Sequence, residues 1–152
     1  MYYKACSKWA RVLWIALFVL YGALLLRLTM LRDGLFVSHP RAEDRVILVP
    51  FWSYSEFLRQ GQYIQFRYQL IGNVLCLLPL GFFCGFFKKD CSLVRAALTC
   101  LGATLCIECW QLAFDVGYFE LDDLSLNLVG GIIGYALYLL VRDLYGLLTK
   151  KT

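Results

Sequence analysis

A carboxylate and a carboxamide, Glu108 and Gln111, lie inside an apolar stretch that reads CIECWQLAF. A second acidic motif, Asp122 and Asp123, follows about a dozen residues later. Carboxylates in apolar surroundings can transfer protons in acid–base catalysis or hydrogen-bond a polar ligand. Which of these chemistries applies depends on whether the stretch lies in water or in lipid, and therefore on the elements that carry these side chains.

The composition of the 152-residue chain is typical of a membrane protein. Hydrophobic residues make up 61% and charged residues 17% of the sequence, whereas a soluble domain has about 45–50% apolar and about 25% charged residues. Four segments have about the 17–25 residues that a helix needs to cross the hydrocarbon core of a bilayer. We predict transmembrane helices at residues 12–31, 70–87, 93–114 and 124–141. The expected fold is an all-α integral membrane protein, a compact bundle of four transmembrane helices in a single membrane domain, residues 1–152.

Lysine and arginine near the ends of the spans predict the orientation of the chain. Both terminal tails and the connection at residues 88–89 are basic, whereas residues 115–123 contain no lysine or arginine. The long connection 32–69 carries arginines, but it also carries four acidic residues. We therefore expect a multi-pass protein of the cell membrane with both termini in the cytoplasm.

The first outer connection contains a pattern for a short helix. Ser53 and Glu56 follow Pro50 at the spacing of a capping box, and aromatic residues flank them. Aromatic side chains are enriched at the boundary between membrane and water. We predict an interfacial helix that begins near Ser53, with an ordinary loop anchored by aromatic residues as the alternative.

Polar side chains of three predicted spans fall at one depth, in the half of the membrane nearer the outside. Amide and carboxyl groups in lipid are costly and normally face protein or trapped water. We therefore expect them to converge in an outward-facing pocket that binds a ligand, although hydrogen bonds that only hold the bundle together are the alternative. The residues of this predicted polar cluster are Asn73, Glu108, Gln111, Asp122, Asp123 and Asn127.

Small residues at helical spacing indicate close packing of the second and fourth spans. Two pairs, Gly81 with Gly85 and Gly130 with Gly134, have the GxxxG spacing that lets helix backbones approach each other. Proline in a helix removes a backbone hydrogen bond and kinks the axis. The residues predicted to shape helix packing are Pro79, Gly81, Gly85, Gly130, Gly131 and Gly134.

Other kinds of chemistry have weaker support in the sequence. Cys106 and Cys109 form a C-x-x-C motif, but the predicted outer connections contain no cysteine with which a membrane dithiol could exchange electrons. His39 is the single histidine, so we expect no metal site and no cofactor. The net charge of +4 lies mainly on the predicted cytoplasmic side and does not indicate binding to nucleic acid.

Three motifs in this order resemble the VanZ-like family of bacterial membrane proteins. They are NVLCLLPLGFF from Asn73, IECWQ from Ile107 and DDLSLNLVGGIIGY from Asp122, and VPFWSY from Val49 precedes them. The resemblance covers about residues 46–141 and implies a protein of the bacterial cell envelope linked to resistance to lipoglycopeptide antibiotics such as teicoplanin. Members often have a basic residue near positions 117–121, and this chain has none there.

Three functions remain open at this point. In the first, the pocket binds membrane lipids, a lipid-linked cell-wall precursor or the lipoglycopeptide itself. In the second, an enzyme modifies a surface lipid or glycan, with Glu108, Asp122 and Asp123 as candidate catalytic groups. In the third, the glycine seams dock another membrane protein. Binding is the first hypothesis, and enzymatic activity is its alternative.

Overall fold

The computed structural model describes residues 7–30, 45–88 and 90–149. Within them the chain forms five helices and two short strands. In chain order these are α1 (Lys8–Thr29), β1 (Val46–Ile47), α2 (Trp52–Arg59), α3 (Tyr63–Phe87), α4 (Leu93–Ala113), β2 (Phe119–Glu120) and α5 (Leu121–Thr149). The single histidine and three lysines of the terminal tails lie outside the described residues: His39, Lys4, Lys150 and Lys151.

Four of these helices, α1, α3, α4 and α5, are long and apolar enough to cross a membrane. The predicted all-α membrane bundle with a short additional helix is thereby confirmed. Two helices continue well beyond the predicted spans: α3 begins at Tyr63 and α5 ends at Thr149. The extra turns contain Gln65, Arg67 and Arg142, and hydropathy does not mark them because it detects only the part of a helix suited to lipid.

Helices α3 and α5 pack backbone against backbone, because glycines line their contact. A methyl group added to Gly81 would overlap the carbonyl of Gly131, and one added to Gly130 would overlap the carbonyl of Val74. Gly134 lies in the same way against the carbonyl of Leu78. Small residues provide such close approach in membrane helix pairs, where packing has to replace the hydrophobic effect.

Helix α1 is apolar around its whole circumference and has no buried residue. A helix of this kind is suited to lipid on most of its faces. Its first half contacts the end of α3 through aromatic rings, with Trp14 and Phe86 4.6 Å and Phe18 and Phe83 5.1 Å apart between centroids. Farther along, the Tyr21 hydroxyl donates a hydrogen bond of 2.9 Å to the carbonyl of Cys76 on α3.

Outside the long helices, two distant segments of the chain form a small structured cap. Strands β1 and β2 pair in parallel, with Val46 opposite Phe119. Helix α2 begins after Phe51, whose backbone is left-handed with φ of 60°, and no side chain caps this end. The predicted capping box is therefore wrong, because Ser53 lies inside the helix and Glu56 bonds Arg59 and Gln60 instead.

Candidate binding site

The polar residues gather at one end of the bundle. We call it the polar end: the C-termini of α1 and α4, the N-termini of α3 and α5, and the cap formed by β1, β2 and α2. The Gln111 amide donates a hydrogen bond of 3.0 Å to the carbonyl of Thr29 and thereby joins α4 to the last turn of α1. The indole of Trp110 donates to the next carbonyl, that of Met30, at 3.2 Å.

The adjacent carboxylates of the Asp-Asp motif hold two different elements. Asp122 is 7% exposed and accepts a hydrogen bond of 3.0 Å from the backbone N–H of Phe51, at the start of α2. Asp123 accepts hydrogen bonds from the amides of Asn73 and Gln69 on α3. The first turn of α5, where the helix dipole favours negative charge, thus anchors both the cap and α3.

Glu108 holds the second strand in place. Its side chain is 1% exposed, and one carboxylate oxygen accepts a hydrogen bond of 3.1 Å from the backbone N–H of Glu120. A buried carboxylate is stable in a protein only when donors surround it. Here the donor comes from a strand 12 residues later in the chain, so Glu108 fixes the position of β2 relative to α4.

Asn127 has its partner deeper in the bundle. Its amide donates a hydrogen bond of 2.9 Å to the Thr104 hydroxyl on α4, and both side chains are buried. The amide oxygen of Asn127 has no partner among the described residues. Asn127 and Gln111 therefore join pairs of helices, whereas Asn73, Asp123 and Gln69 form a directly bonded group.

A cavity of about 500 Å³ lies at the polar end, within the cap, between its strands and helix α2. This volume is within the range of about 300–1,000 Å³ that is usual for small-molecule sites. Apolar and aromatic side chains make up most of its wall, with the hydroxyls of Ser53 and Tyr118 and the carboxyl group of Glu120. The lining residues are Val46, Ile47, Val49, Trp52, Ser53, Tyr118 and Glu120.

Glu120 is the acidic residue that lines this cavity. Gln69 donates a hydrogen bond of 3.2 Å to its carboxylate, and the Ser53 hydroxyl lies beside it. Burial raises the pKa of Glu120 above its ordinary value, the Ser53 hydroxyl partly offsets this, and the negative charge of Asp122 raises it further. Burial also raises the pKa of Tyr54, and the negative charge of nearby Asp123 raises it further.

Arg45 is the buried cation of the cap. It is 2% exposed, pairs with the carboxylate of Asp115 and donates a hydrogen bond of 3.4 Å to the carbonyl of Gly117. Its Nε atom has no partner among the described residues. Arg45 thus ties the segment before β1 to the turn that precedes β2, and its charge is compensated within the protein.

The comparison with protein families matches residues 13–142 to the VanZ/LLP1 family. The chain belongs to the VanZ/LLP1 family. The match includes most of α1 and therefore extends farther towards the N-terminus than the motifs, which begin near residue 46. No curated protein and no solved structure matches this VanZ/LLP1 chain.

The family motifs supply the anchors of the site, and residues outside the predicted cluster line the cavity. Trp52, Ser53, Tyr118 and Glu120 were not among the predicted site residues. Glu120 lies two residues before the Asp-Asp motif, and this proximity to the motif was the signal that could have identified it. No comparable sequence signal could identify the two apolar residues of β1 as part of the cavity wall, because they pair with a strand more than 70 positions away.

Cysteine pairs and metal ligands do not add to the site. Cys106 and Cys109 of the C-x-x-C motif are both free and exposed on the surface of α4. Within residues 7–30, 45–88 and 90–149, no group of three or more histidine, cysteine or acidic side chains is arranged to hold a metal ion. The described arrangement is therefore a cavity with hydrogen-bonding side chains.

Proposed function

We propose that this VanZ/LLP1 protein binds an amphiphilic or lipid-linked envelope molecule in the cavity of the polar end. Binding there lowers the sensitivity of a bacterium to lipoglycopeptide antibiotics such as teicoplanin, by reducing access of the drug to its target. The observation that carries the proposal is the cavity itself, which joins an apolar wall to hydroxyl groups and a carboxyl group.

The surroundings of the cavity support binding of an amphiphile from the membrane. Four exposed apolar residues, Leu48, Val49, Phe51 and Trp52, follow β1 without interruption by a charged side chain. An apolar surface of this kind is normally covered by a partner or by lipid. A lipid-anchored ligand would therefore reach the cavity along the membrane surface.

The proposal includes an orientation in the cell membrane with both termini in the cytoplasm. Basic residues Lys8, Arg11, Lys88 and Arg95 flank the helix ends opposite the polar end. By the positive-inside rule this side is cytoplasmic, which places the polar end and its cavity outside. An extracytoplasmic site is the one that an antibiotic acting on the envelope can reach.

Three cavity and anchor variants test the proposal in a Gram-positive host that is sensitive to teicoplanin. We expect the native protein to raise the inhibitory concentration, and Trp52→Ala, Glu120→Gln and Asp122→Asn each to lose that protection at normal membrane abundance. Glu56→Gln is the matched control, because Glu56 is on α2 but does not line the cavity. Full protection by all three variants would contradict the proposal.

Chemical profiling of the same cells separates binding from catalysis. Glu108 is fully enclosed and bonded to the backbone of Glu120, and it does not line the cavity. We therefore expect lipids and wall precursors of unchanged structure in cells that carry the protein. A new lipid or glycan species that disappears with Glu108→Gln would indicate an enzyme instead.

A further inference from the structure

We propose that the cavity selects amphiphiles whose head group is a protonated amine, with the Glu120 carboxylate as the counter-ion. The inference rests on the proposed binding function and adds the charge of the ligand. An envelope amphiphile can carry a phosphate, a neutral sugar or an amine at its head, and the cavity distinguishes among them by its own charge.

Polarity changes from the base of the cavity to its rim. Ser53 is 6% exposed and Glu120 is half-buried, whereas Val49 is 61% and Trp52 49% exposed. Ser53 and Glu120 therefore lie deeper than Val49 and Trp52. A ligand fits this gradient when its head group enters first and its hydrocarbon chain lies against Trp52 and Val49.

The charge of the base is negative. Among the described residues that line the cavity, Glu120 is acidic and none is basic. Asp122 and Asp123 both lie close enough to Glu120 to add to the negative potential there. Complementary charge favours binding and like charge opposes it, so a phosphate or pyrophosphate head is repelled where an ammonium head is attracted.

The buried cation of the cap does not reverse this potential. Arg45 is paired with Asp115 and does not line the cavity. Arg59 on α2 is paired with Glu56, and Arg67 is exposed on α3; neither lines the cavity. The described lining of the cavity therefore carries a net negative charge.

Glu120 is the carboxylate best placed to act as the counter-ion. Three further acidic groups of the polar end are bonded to other elements: Glu108 to β2, Asp122 to α2 and Asp123 to α3. Glu120 accepts from Gln69 and still lines the cavity beside Ser53. A primary ammonium group has three N–H donors, enough for the Glu120 carboxylate and the Ser53 hydroxyl together.

Photoreactive alkyl probes of equal chain length, bearing an amine, a phosphate or a hydroxyl head, test the inference. The purified full chain is placed in nanodiscs of phosphatidylcholine, irradiated with each probe and digested, and the labelled peptides are identified by mass spectrometry. We expect the amine probe to label residues 46–53 and an excess of unlabelled alkylamine to compete with it. The phosphate probe is expected to label this segment no more than any lipid-facing helix.

Two variants separate the head group from the chain. Glu120→Gln keeps the shape and removes the charge, so labelling by the amine probe falls about tenfold, the scale of a hydrogen bond to a charged group. Trp52→Ala weakens labelling by all three probes alike, because it removes contact with the chain. Glu56→Gln, a carboxylate removed from the same helix outside the cavity, leaves labelling unchanged.

The outcomes distinguish this inference from the proposed function. Stronger labelling by the phosphate or hydroxyl probe, or amine labelling that Glu120→Gln does not reduce, overturns the choice of an amine and leaves the binding function standing. Failure of every probe to label residues 46–53 above the lipid-facing helices overturns both. A preference for the amine that depends on Glu120 supports both.

Discussion

At the level of single residues, the acidic side chains of the polar end divide into anchors and a ligand-facing group. Glu108 and Asp122 accept backbone N–H groups at distances of 3.1 Å and 3.0 Å and so hold β2 and α2. Glu120 has the same chemistry but lines the cavity. Sequence spacing predicts that such groups share a depth in the membrane, and it does not predict which partner each one takes.

The protonation of Glu120 should make stability depend on pH. Its pKa is raised by burial above the ordinary value of 4.5, so the folded state binds the proton more tightly than the unfolded state does. Stability is then greatest below about pH 4.5 and is lost as the pH rises through the folded-state pKa. Glu120→Gln removes this loss, and its amide oxygen can still accept from Gln69.

Thermal unfolding of both proteins in detergent between pH 4 and pH 8 measures the effect. We expect the unfolding midpoint of Glu120→Gln to rise relative to that of the native protein as the pH increases. Because both proteins share the other carboxylates, their difference isolates Glu120. A difference that is constant with pH, or that shrinks as the pH rises, would contradict the assignment of a raised pKa.

At the level of elements, the sequence predicted the existence of the helices better than the connections between them. The apolar runs of α1, α3, α4 and α5 are set by the thickness of the membrane, and a run of that length has few alternatives to a helix. The pairing of β1 with β2 depends instead on the folded positions of α3 and α4. Neither residues 46–47 nor residues 119–120 contain a local sequence pattern that would identify the other segment as the pairing partner.

Helix α2 shows how a hydrogen bond to a distant residue can override a local sequence pattern. Ser53 and Glu56 have capping-box spacing, yet Phe51 and not Ser53 occupies the N-cap position, and the N–H of Phe51 is bonded to Asp122. A buried carboxylate on α5 supplies a stronger acceptor than a local hydroxyl does. Ser53 is thereby free to face Glu120 at the base of the cavity.

The contact between α3 and α5 gives a prediction with an internal control. Gly130→Ala places a methyl group into the carbonyl of Val74, so the helices must separate, at a cost of about 1–3 kcal/mol for overpacking. Gly102→Ala on α4 meets no atom within 4 Å and removes a flexible residue from a helix. Gly130→Ala should therefore lower the midpoint of thermal unfolding in detergent, whereas Gly102→Ala should leave it unchanged or raise it.

The two glycine variants also indicate whether helix packing positions the site. If the close approach of α3 and α5 aligns Asn73 with Asp123, Gly130→Ala should reduce amphiphile binding as well as stability. Equal stability of the two variants would show that the helices do not approach as closely as the structure has them. The packing of these helices would then need another explanation.

At the level of the whole molecule, the alternation of helix direction brings the polar residues together. Asn73 is near the start of α3, Glu108 near the end of α4 and Asp123 at the start of α5, so three antiparallel helices place them at one end. This convergence could be predicted from the sequence, since only the count and length of the spans decide it. The cavity could not, because its lining comes from the cap, whose two strands lie more than 70 positions apart in the sequence.

The orientation of that end relative to the membrane is the central claim of the account. Tyr118 lines the cavity, and Asp90 is exposed in the connection at the opposite end of the bundle. In a chain whose seven native cysteines are replaced, Tyr118→Cys and Asp90→Cys each supply one thiol for labelling with a membrane-impermeant maleimide in intact cells. The account predicts that Tyr118→Cys is labelled directly and that Asp90→Cys is labelled only after the membrane is permeabilised. Labelling of both positions from the same side, or of Asp90→Cys alone in intact cells, would contradict it.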